Sequence, residues 1–364
     1  LKLYRRLDDT INPDLEINRY LSQHTNFEYI PAFRGFLSFE KDKRTELALA
    51  LLQEKVHHQG RAWAYAQDAF VRFLEDVETR GQDELLPSLE GSIFDPASHD
   101  ELPEVLGDFM GSSFPERLIQ LGEITAELHQ ALLGNGSQEA FAPEAFSLHY
   151  QRSVFSSFQG LTRRSLDLLK KRLGALPEPL QAFSRGLSEY RQDILNFFKR
   201  IYDHKIDTLK IRNHGDYHLE QVLWTGKDFI IRNFEGEAMR PHSERRLKRS
   251  GLRDVAGMMR SLAYVAQVAM QQQLPPDVYE PDPQQLQWSR AWVHYSCRLF
   301  LHGYLARVQS PGLVPASESD RRMLLEIFMM EKALYELLHE LENRPEMAPL
   351  PIQGIRYLLR VSAG

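Results

Sequence analysis

One eight-residue run, His214-Gly215-Asp216-Tyr217-His218-Leu219-Glu220-Gln221, restricts this chain more than any other feature. An acid opens a short loop, an amide follows five residues later, and Gly215 lets the backbone bend sharply before the acid. The strand-like Lys210 to Asn213 leads into it. Beyond it, Gln221 to Thr225 and Phe229 to Phe234 flank Gly226-Lys227-Asp228, the pattern of two strands across a tight polar turn. Such a hairpin returns its far end, Asn233, to the loop. An acid and an amide at this spacing are what a kinase catalytic loop needs. The acid orients the attacking hydroxyl or accepts its proton, and the amide oxygen helps hold a magnesium ion. A His-Gly-Asp turn alone is common on protein surfaces; the whole pattern with its hairpin is not.

The remainder of the chain narrows the setting. With 364 residues there is room for one large two-lobed domain or two ordinary ones. A formal charge of -6 provides no global basic field, so neither a nucleic acid nor an anionic membrane is expected as a partner. The single cysteine, Cys297, cannot form an internal disulfide and fits a reducing, cytoplasmic setting. Even the best apolar runs, such as Met323 to Met330, have charges within a few residues, so no membrane span is expected. Leu1 to Leu7 alternates as a strand does, lacks an initiator Met and has no signal-peptide character. It reads as a start inside a domain.

Strand signals concentrate in residues 1 to 56, at Lys2 to Leu7, Ala32 to Phe39 and Leu47 to Val56. Between the first two, Pro13 to Gln23 predicts a helix: Asn12 caps, Pro13 suits the first turn, and Asp14 and Glu16 favour the positive end. From about residue 60 the period becomes helical, through Ala62 to Val77, Phe114 to Leu133 and a last helix, Asp320 to Glu342. Loops are expected at Ser88 to Pro103, Gly134 to Pro143, Gln271 to Pro283 and Gln309 to Ser319. There is no internal repeat.

The motif continues as Asn233-Phe234-Glu235-Gly236-Glu237, Arg240-Pro241, and Leu252-Arg253-Asp254-Val255-Ala256-Gly257-Met258-Met259-Arg260-Ser261. This run resembles the maltokinases, aminoglycoside-phosphotransferase-like kinases also found fused behind a trehalose synthase of the α-amylase type. Their characteristic strings are HGDYHLGQVLW, DFEGEP and LRDVAGMLRS. Leu1 to Leu21, Leu47 to Asp68 and Glu331 to Arg356 resemble the corresponding family segments.

The resemblance implies an α+β, protein-kinase-like bilobal fold. Residues 1–56 would be the remainder of a small mixed nucleotide-binding N-lobe and the interlobe link, and residues 57–364 a mainly helical C-lobe with the catalytic loop and sugar pocket. It implies ATP-dependent, magnesium-dependent phosphorylation of maltose at the anomeric hydroxyl to maltose 1-phosphate, in trehalose and α-glucan (glycogen) metabolism. Asp216 would be the catalytic base, and Gln221, Asn233 and Glu235 would be metal ligands, with Glu237 close enough to share the ion. Lys2 would steady the nucleotide phosphates, with Glu16 as its helix partner, and adenine would dock near Leu51 to Val56. His214, His218, Lys332 and Tyr335 would contact the sugar. Arg245, Arg246, Lys248 and Arg249 read either as a phosphate-neutralising cluster or as a solvated face.

Two positions depart from the family pattern: Glu220 stands where Gly is usual, and Asn233 where a magnesium-binding Asp is expected. An amide offers magnesium a neutral oxygen instead of an anionic one. No strands or phosphate-covering loop precede Lys2, so the expectation is a lobe cut short, with its missing part upstream beside a fused α-amylase-type domain. The alternatives are a catalytically impaired module that binds sugar, nucleotide or a trehalose synthase partner, and a kinase for another sugar or aminosugar such as glucosamine.

Overall fold

The Asn12 side chain accepts hydrogen bonds from the backbone N–H of Asp14 (3.0 Å) and Leu15 (3.2 Å), and the first helix starts there. Pro13 fills the first helical position, where no N–H is needed. The same logic starts later helices: Asp282 caps before Pro283, and Ser147 and Ser317 cap through their hydroxyls. The computed structural model describes residues 1–361 except 6, 8, 43–44, 81–83, 85, 87, 135, 137, 177, 239, 241 and 275–280.

The strands are β1 (Lys2–Leu3), β2 (Phe33–Asp42), β3 (Thr45–Gln53), β4 (Gly60–Arg61), β5 (Glu144–Ala145), β6 (Leu209–Lys210), β7 (Val222–Trp224) and β8 (Phe229–Ile231). The first six helices are α1 (Pro13–His24), α2 (Ala62–Arg80), α3 (Glu104–Met110), α4 (Ser113–Leu132), α5 (Leu148–Arg172) and α6 (Glu178–Arg185). The rest are α7 (Arg191–Lys199), α8 (His242–Arg245), α9 (Leu252–Gln273), α10 (Pro283–Arg307), α11 (Glu318–Asn343) and α12 (Pro349–Val361).

Antiparallel pairing gives one sheet in the order β1-β3-β2, a second in the order β4-β7-β8, and the pair β5-β6. The expected hairpin is β7-β8, with Val222 opposite Ile231 and Trp224 opposite Phe229. β4 adds to its other edge, so the end of the β3-to-β4 link lies against this hairpin.

Beside a small second cluster of Tyr264, Val268 and Leu350, the main core cluster runs from Ile17 and Leu21 of α1 through α2, α4, α9 and α10 to α11 and α12. Trp288 and Trp292 lie at its centre, with Phe70 edge-on to Trp292 and Phe114 stacked on it. Helices α4 and α10 approach so closely that a Cβ at Gly122 would meet the Phe300 carbonyl oxygen at 2.1 Å, and one at Gly303 the Ile119 oxygen at 2.1 Å. Glycine is required there by backbone proximity. Cys297 is free and buried, and burial pushes its thiol up to about 12, which makes it inert. No described helix is long and apolar enough to cross a membrane.

Several expectations are corrected. The first strand ends at Leu3, although the Tyr4 N–H still reaches the Leu49 carbonyl (2.9 Å), and Arg6 lies outside the described residues. The strand-like segment expected at Lys210 to Asn213, ahead of the loop, pairs only through Leu209–Lys210, with Ile211 bridging to Arg249 instead. The Gln271 to Gln273 run is the end of α9, and residues 275–280 of that expected loop lie outside the described residues. Helix α11 is not the last. Pro349 begins α12, because a proline in the first turn disrupts no hydrogen bond.

Candidate active site

The loop after Ile211 is held from behind by Asp254, in the first turn of α9. Its carboxylate accepts the backbone N–H of His214 (2.7 Å) and Gly215 (3.0 Å), and lies 3.2 Å from His129 Nε2. Burial acts to raise the Asp254 pKa; His129 and His214 and the Gly215 N–H outweigh it and hold the carboxyl below its usual range. Gly215 has φ 81°, a left-handed conformation that suits glycine, and this turns Asp216 outward. The Tyr217 hydroxyl pairs with Thr125 (2.9 Å), and the Leu219 N–H donates to Ser261 Oγ (3.1 Å).

His214, expected at the sugar, is instead an internal strut. Only 1% of it is exposed, its Nε2 lies 3.0 Å from the Arg232 carbonyl, and its Nδ1 accepts the Asp216 N–H at 3.3 Å. Burial lowers its pKa, so the neutral ring with Nε2–H fits both contacts.

Asp216 lines a small cavity. Its Oδ1 accepts a bond from Lys332 Nζ at 2.8 Å, and its Oδ2 lies 3.5 Å from His218 Nε2. Burial would raise its pKa, but Lys332 and His218 hold it well below the ordinary carboxylate range. The Lys332 ammonium lies 3.8 Å from Glu237, and its pKa is raised: burial lowers it, while Asp216 and Glu237 more than compensate. Loop and helix, far apart in sequence, therefore meet at Asp216, His218 and Lys332.

Behind this pair lies a buried ion cluster. Arg240 bonds Glu237 (2.6 Å) and Glu331 (2.9 Å), and Arg253 bonds Glu331 (2.8 Å) and Glu237 (3.2 Å). The Arg240 guanidinium lies 4.9 Å from the Tyr335 ring centroid, and burial with the nearby Glu331 pushes the Tyr335 hydroxyl up to about 12. A cavity of about 10 Å³, water-sized, lies against Asp216, Glu237, Glu331 and Lys332. Glu237 thus belongs with Lys332, Arg240 and Arg253, apart from Gln221 and Asn233.

The hairpin does return Asn233 to Gln221: Asn233 Nδ2 donates to Gln221 Oε1 at 2.8 Å. Lys2 Nζ reaches the same corner, donating to Asn233 Oδ1 (3.0 Å) and Asp14 Oδ2 (2.8 Å) and pairing with Glu235 (2.5 Å). Burial lowers the Lys2 pKa, but Asp14 and Glu235 leave it raised. The helix partner of Lys2 is thus Asp14, and the expectation of Glu16 is corrected. Two residues along a helix point about 200° apart, so only one of the two can face Lys2. Glu16 instead binds Arg212 (2.6 Å) and Arg246 (2.6 Å). Asp14 also accepts the Phe234 N–H at 2.8 Å, joining helix to hairpin.

The residues present do not fit a dedicated magnesium seat. Magnesium takes hard, preferably anionic oxygens. Here the Asn233 oxygen faces an ammonium, the Gln221 oxygen faces the Asn233 amide, and the two carboxylates, Asp14 and Glu235, are both paired with Lys2. Among the described residues no group of three or more His, Cys, Asp or Glu is placed to hold a metal. Glu220 pairs with Arg61 on β4, away from this corner.

The basic run 245–249 is spent internally. Arg246 pairs with Glu16, Lys248 with Glu144 (2.9 Å), and Arg245 donates to the Ala238 and Arg240 carbonyls (both 2.8 Å). Sequence reasoning missed Asp14, Arg240, Arg253, Asp254 and Glu331. Asp14 and Asp254 alone carried a local signal, an acid in the first turn of a helix.

No protein-family model matches the chain. It is 27% identical over 244 residues to a glucosamine kinase of Streptacidiphilus jiangxiensis, covering 66% of this chain and 48% of that protein. It is 41% identical over 59 residues to a glucosamine kinase of Mycolicibacterium smegmatis, 16% of this chain and 15% of the other. The chain spans about half the length, or less, of these curated relatives. A solved glucosamine kinase in complex with glucosamine, ADP and inorganic phosphate superposes with a TM-score of 0.69 at 21% identity, over 98% of this chain and 71% of that one. A second crystal form of glucosamine kinase gives 0.68 over 99% and 72%. The chain therefore has the mixed, mainly helical fold of glucosamine kinase.

Proposed function

We propose that the cleft around Asp216 transfers the terminal phosphoryl group of ATP to a sugar hydroxyl, and that the sugar is an aminosugar of the glucosamine type. The observation that carries this reading is the Asp216–Lys332 pair at 2.8 Å, which keeps the carboxylate ionised and aimed beside the small cavity. An acceptor hydroxyl there gives its proton to an Asp216 oxygen as its own oxygen attacks phosphorus and ADP leaves. Lys2 provides the positive charge on the phosphate side, with Asp14 orienting it. The glucosamine kinases to which the chain is similar support the aminosugar. Bilobal division of labour follows the same reading, with residues 1–56 on the nucleotide side and 57–364 on the acceptor side.

Maltose is the second acceptor. Lys332 already fills the cationic place between Asp216 and Glu237, so a neutral sugar meets no like charge there, whereas an ammonium-bearing sugar must compete with the lysine.

The test is product formation from ATP with glucosamine, maltose and glucose, for the protein and for Asp216→Asn. The expected outcome is phosphorylated glucosamine, with the variant slower by a factor on the order of 10² to 10⁴. Equal rates in the two proteins would remove Asp216 as the base; turnover of maltose alone would decide for the second acceptor.

A further inference from the structure

At the corner where a kinase of this fold would present a carboxylate to a divalent cation, an ammonium is already in place. Lys2 Nζ has three protons to give and meets three oxygens, on Asp14, Asn233 and Glu235. Asn233 is held to this task. It is the only non-glycine with positive φ (64°) among the described residues, a conformation asparagine tolerates. Its amide is engaged at both ends, accepting from Lys2 and donating to Gln221. Turning both amide oxygens to one ion would break both bonds.

We propose that Lys2 takes the place of the divalent cation, so that the cleft engages the phosphates of a nucleoside triphosphate through an ammonium and binds them without magnesium.

Of the three partners of Lys2, one is built to leave. The Asp14 side chain is 1% exposed and also accepts the Phe234 N–H, whereas the Glu235 side chain is 43% exposed and lies beside Gly236 in a left-handed turn. An arriving phosphate oxygen displaces Glu235 and keeps Asp14. Glu235 is thus a competitor of the phosphate, the opposite of a metal ligand.

The inference rests on reading the cleft as a nucleotide site, and the experiment separates the two. ATP is titrated calorimetrically into the protein, into Glu235→Gln and into Lys2→Met, each in excess EDTA and in excess magnesium, with melting curves to verify folding. The expected result is wild-type affinity equal within about twofold in the two buffers, several-fold tighter in Glu235→Gln, and on the order of tenfold weaker in Lys2→Met. Affinity that falls tenfold or more in EDTA, with Glu235→Gln losing the magnesium-dependent part, would overturn the proposal and make Glu235 the metal carboxylate, while the nucleotide reading stands. Wild-type protein that binds no ATP in either buffer overturns both. Should Lys2→Met fail to fold, the Glu235→Gln comparison decides alone.

Discussion

Lys332 and Asp216 are 116 residues apart in the chain and 2.8 Å apart in space, the one on helix α11 and the other at the mouth of the loop held by α9. The pair sets the protonation state of the proposed base. Lys332→Met removes the largest influence that depresses the Asp216 pKa and leaves burial to raise it. A base works only when deprotonated, so the acid limb of the pH–rate profile is expected to move to higher pH in the variant. At neutral pH the rate should fall on the order of tenfold to a hundredfold. An unmoved acid limb would show that the limb reports another group.

Asp254→Asn tests the support behind the loop. The buried carboxylate serves two backbone N–H groups and His129, and an amide cannot serve all three as an acceptor. The expected loss is on the order of 3 kcal/mol in urea unfolding. The pH dependence has a definite sign. The folded-state pKa lies below the unfolded one, so the wild-type contribution is present above the unfolded value and lost as pH falls through the folded one. The difference in stability between the two proteins should therefore shrink toward low pH.

Asp14→Asn and Glu16→Gln, two residues apart on one helix, are expected to separate cleanly. The first removes the buried carboxylate that holds Lys2 in position and should weaken ATP binding by about tenfold. The second disturbs only the Arg212 and Arg246 pairs, and should cost about 1–3 kcal/mol of stability with ATP affinity unchanged. Similar affinity losses in both variants would restore Glu16 to the nucleotide site.

Gly303→Ala probes the close approach of α4 and α10. The added methyl meets the Ile119 carbonyl at 2.1 Å, so the helices must separate, at an expected cost of about 2–3 kcal/mol in thermal or urea unfolding. A neutral substitution would mean that the two helices separate without penalty.

What was legible in the sequence was local. The His214 to Gln221 loop, the β7-β8 hairpin and the cap at Asn12 each depend on neighbours a few residues away, and the structure forms all three. The choice between Asp14 and Glu16 was not legible, because it depends on which face of α1 turns to Lys2, a matter of packing. Helix α12 was hidden by prolines that read as breakers but stand in its first turn. The ion cluster of Arg240, Arg253, Glu237 and Glu331 joins a loop, α9 and α11, and each member alone resembles a surface charge. His214 misled for a related reason: a histidine beside the proposed base is equally a ligand contact or a strut, and only its burial distinguishes them.

That ion cluster also governs how the cleft can deform. Charges buried in complementary pairs act like the teeth of a gear. If α11 slid by one helical turn along α9, Glu331 would leave both arginines and Lys332 would leave Asp216, stranding several charges away from water at once. Small rotations are tolerated; slippage is not. The α11 wall that carries Lys332 therefore stays in register with the loop that carries Asp216, and the two move as one piece.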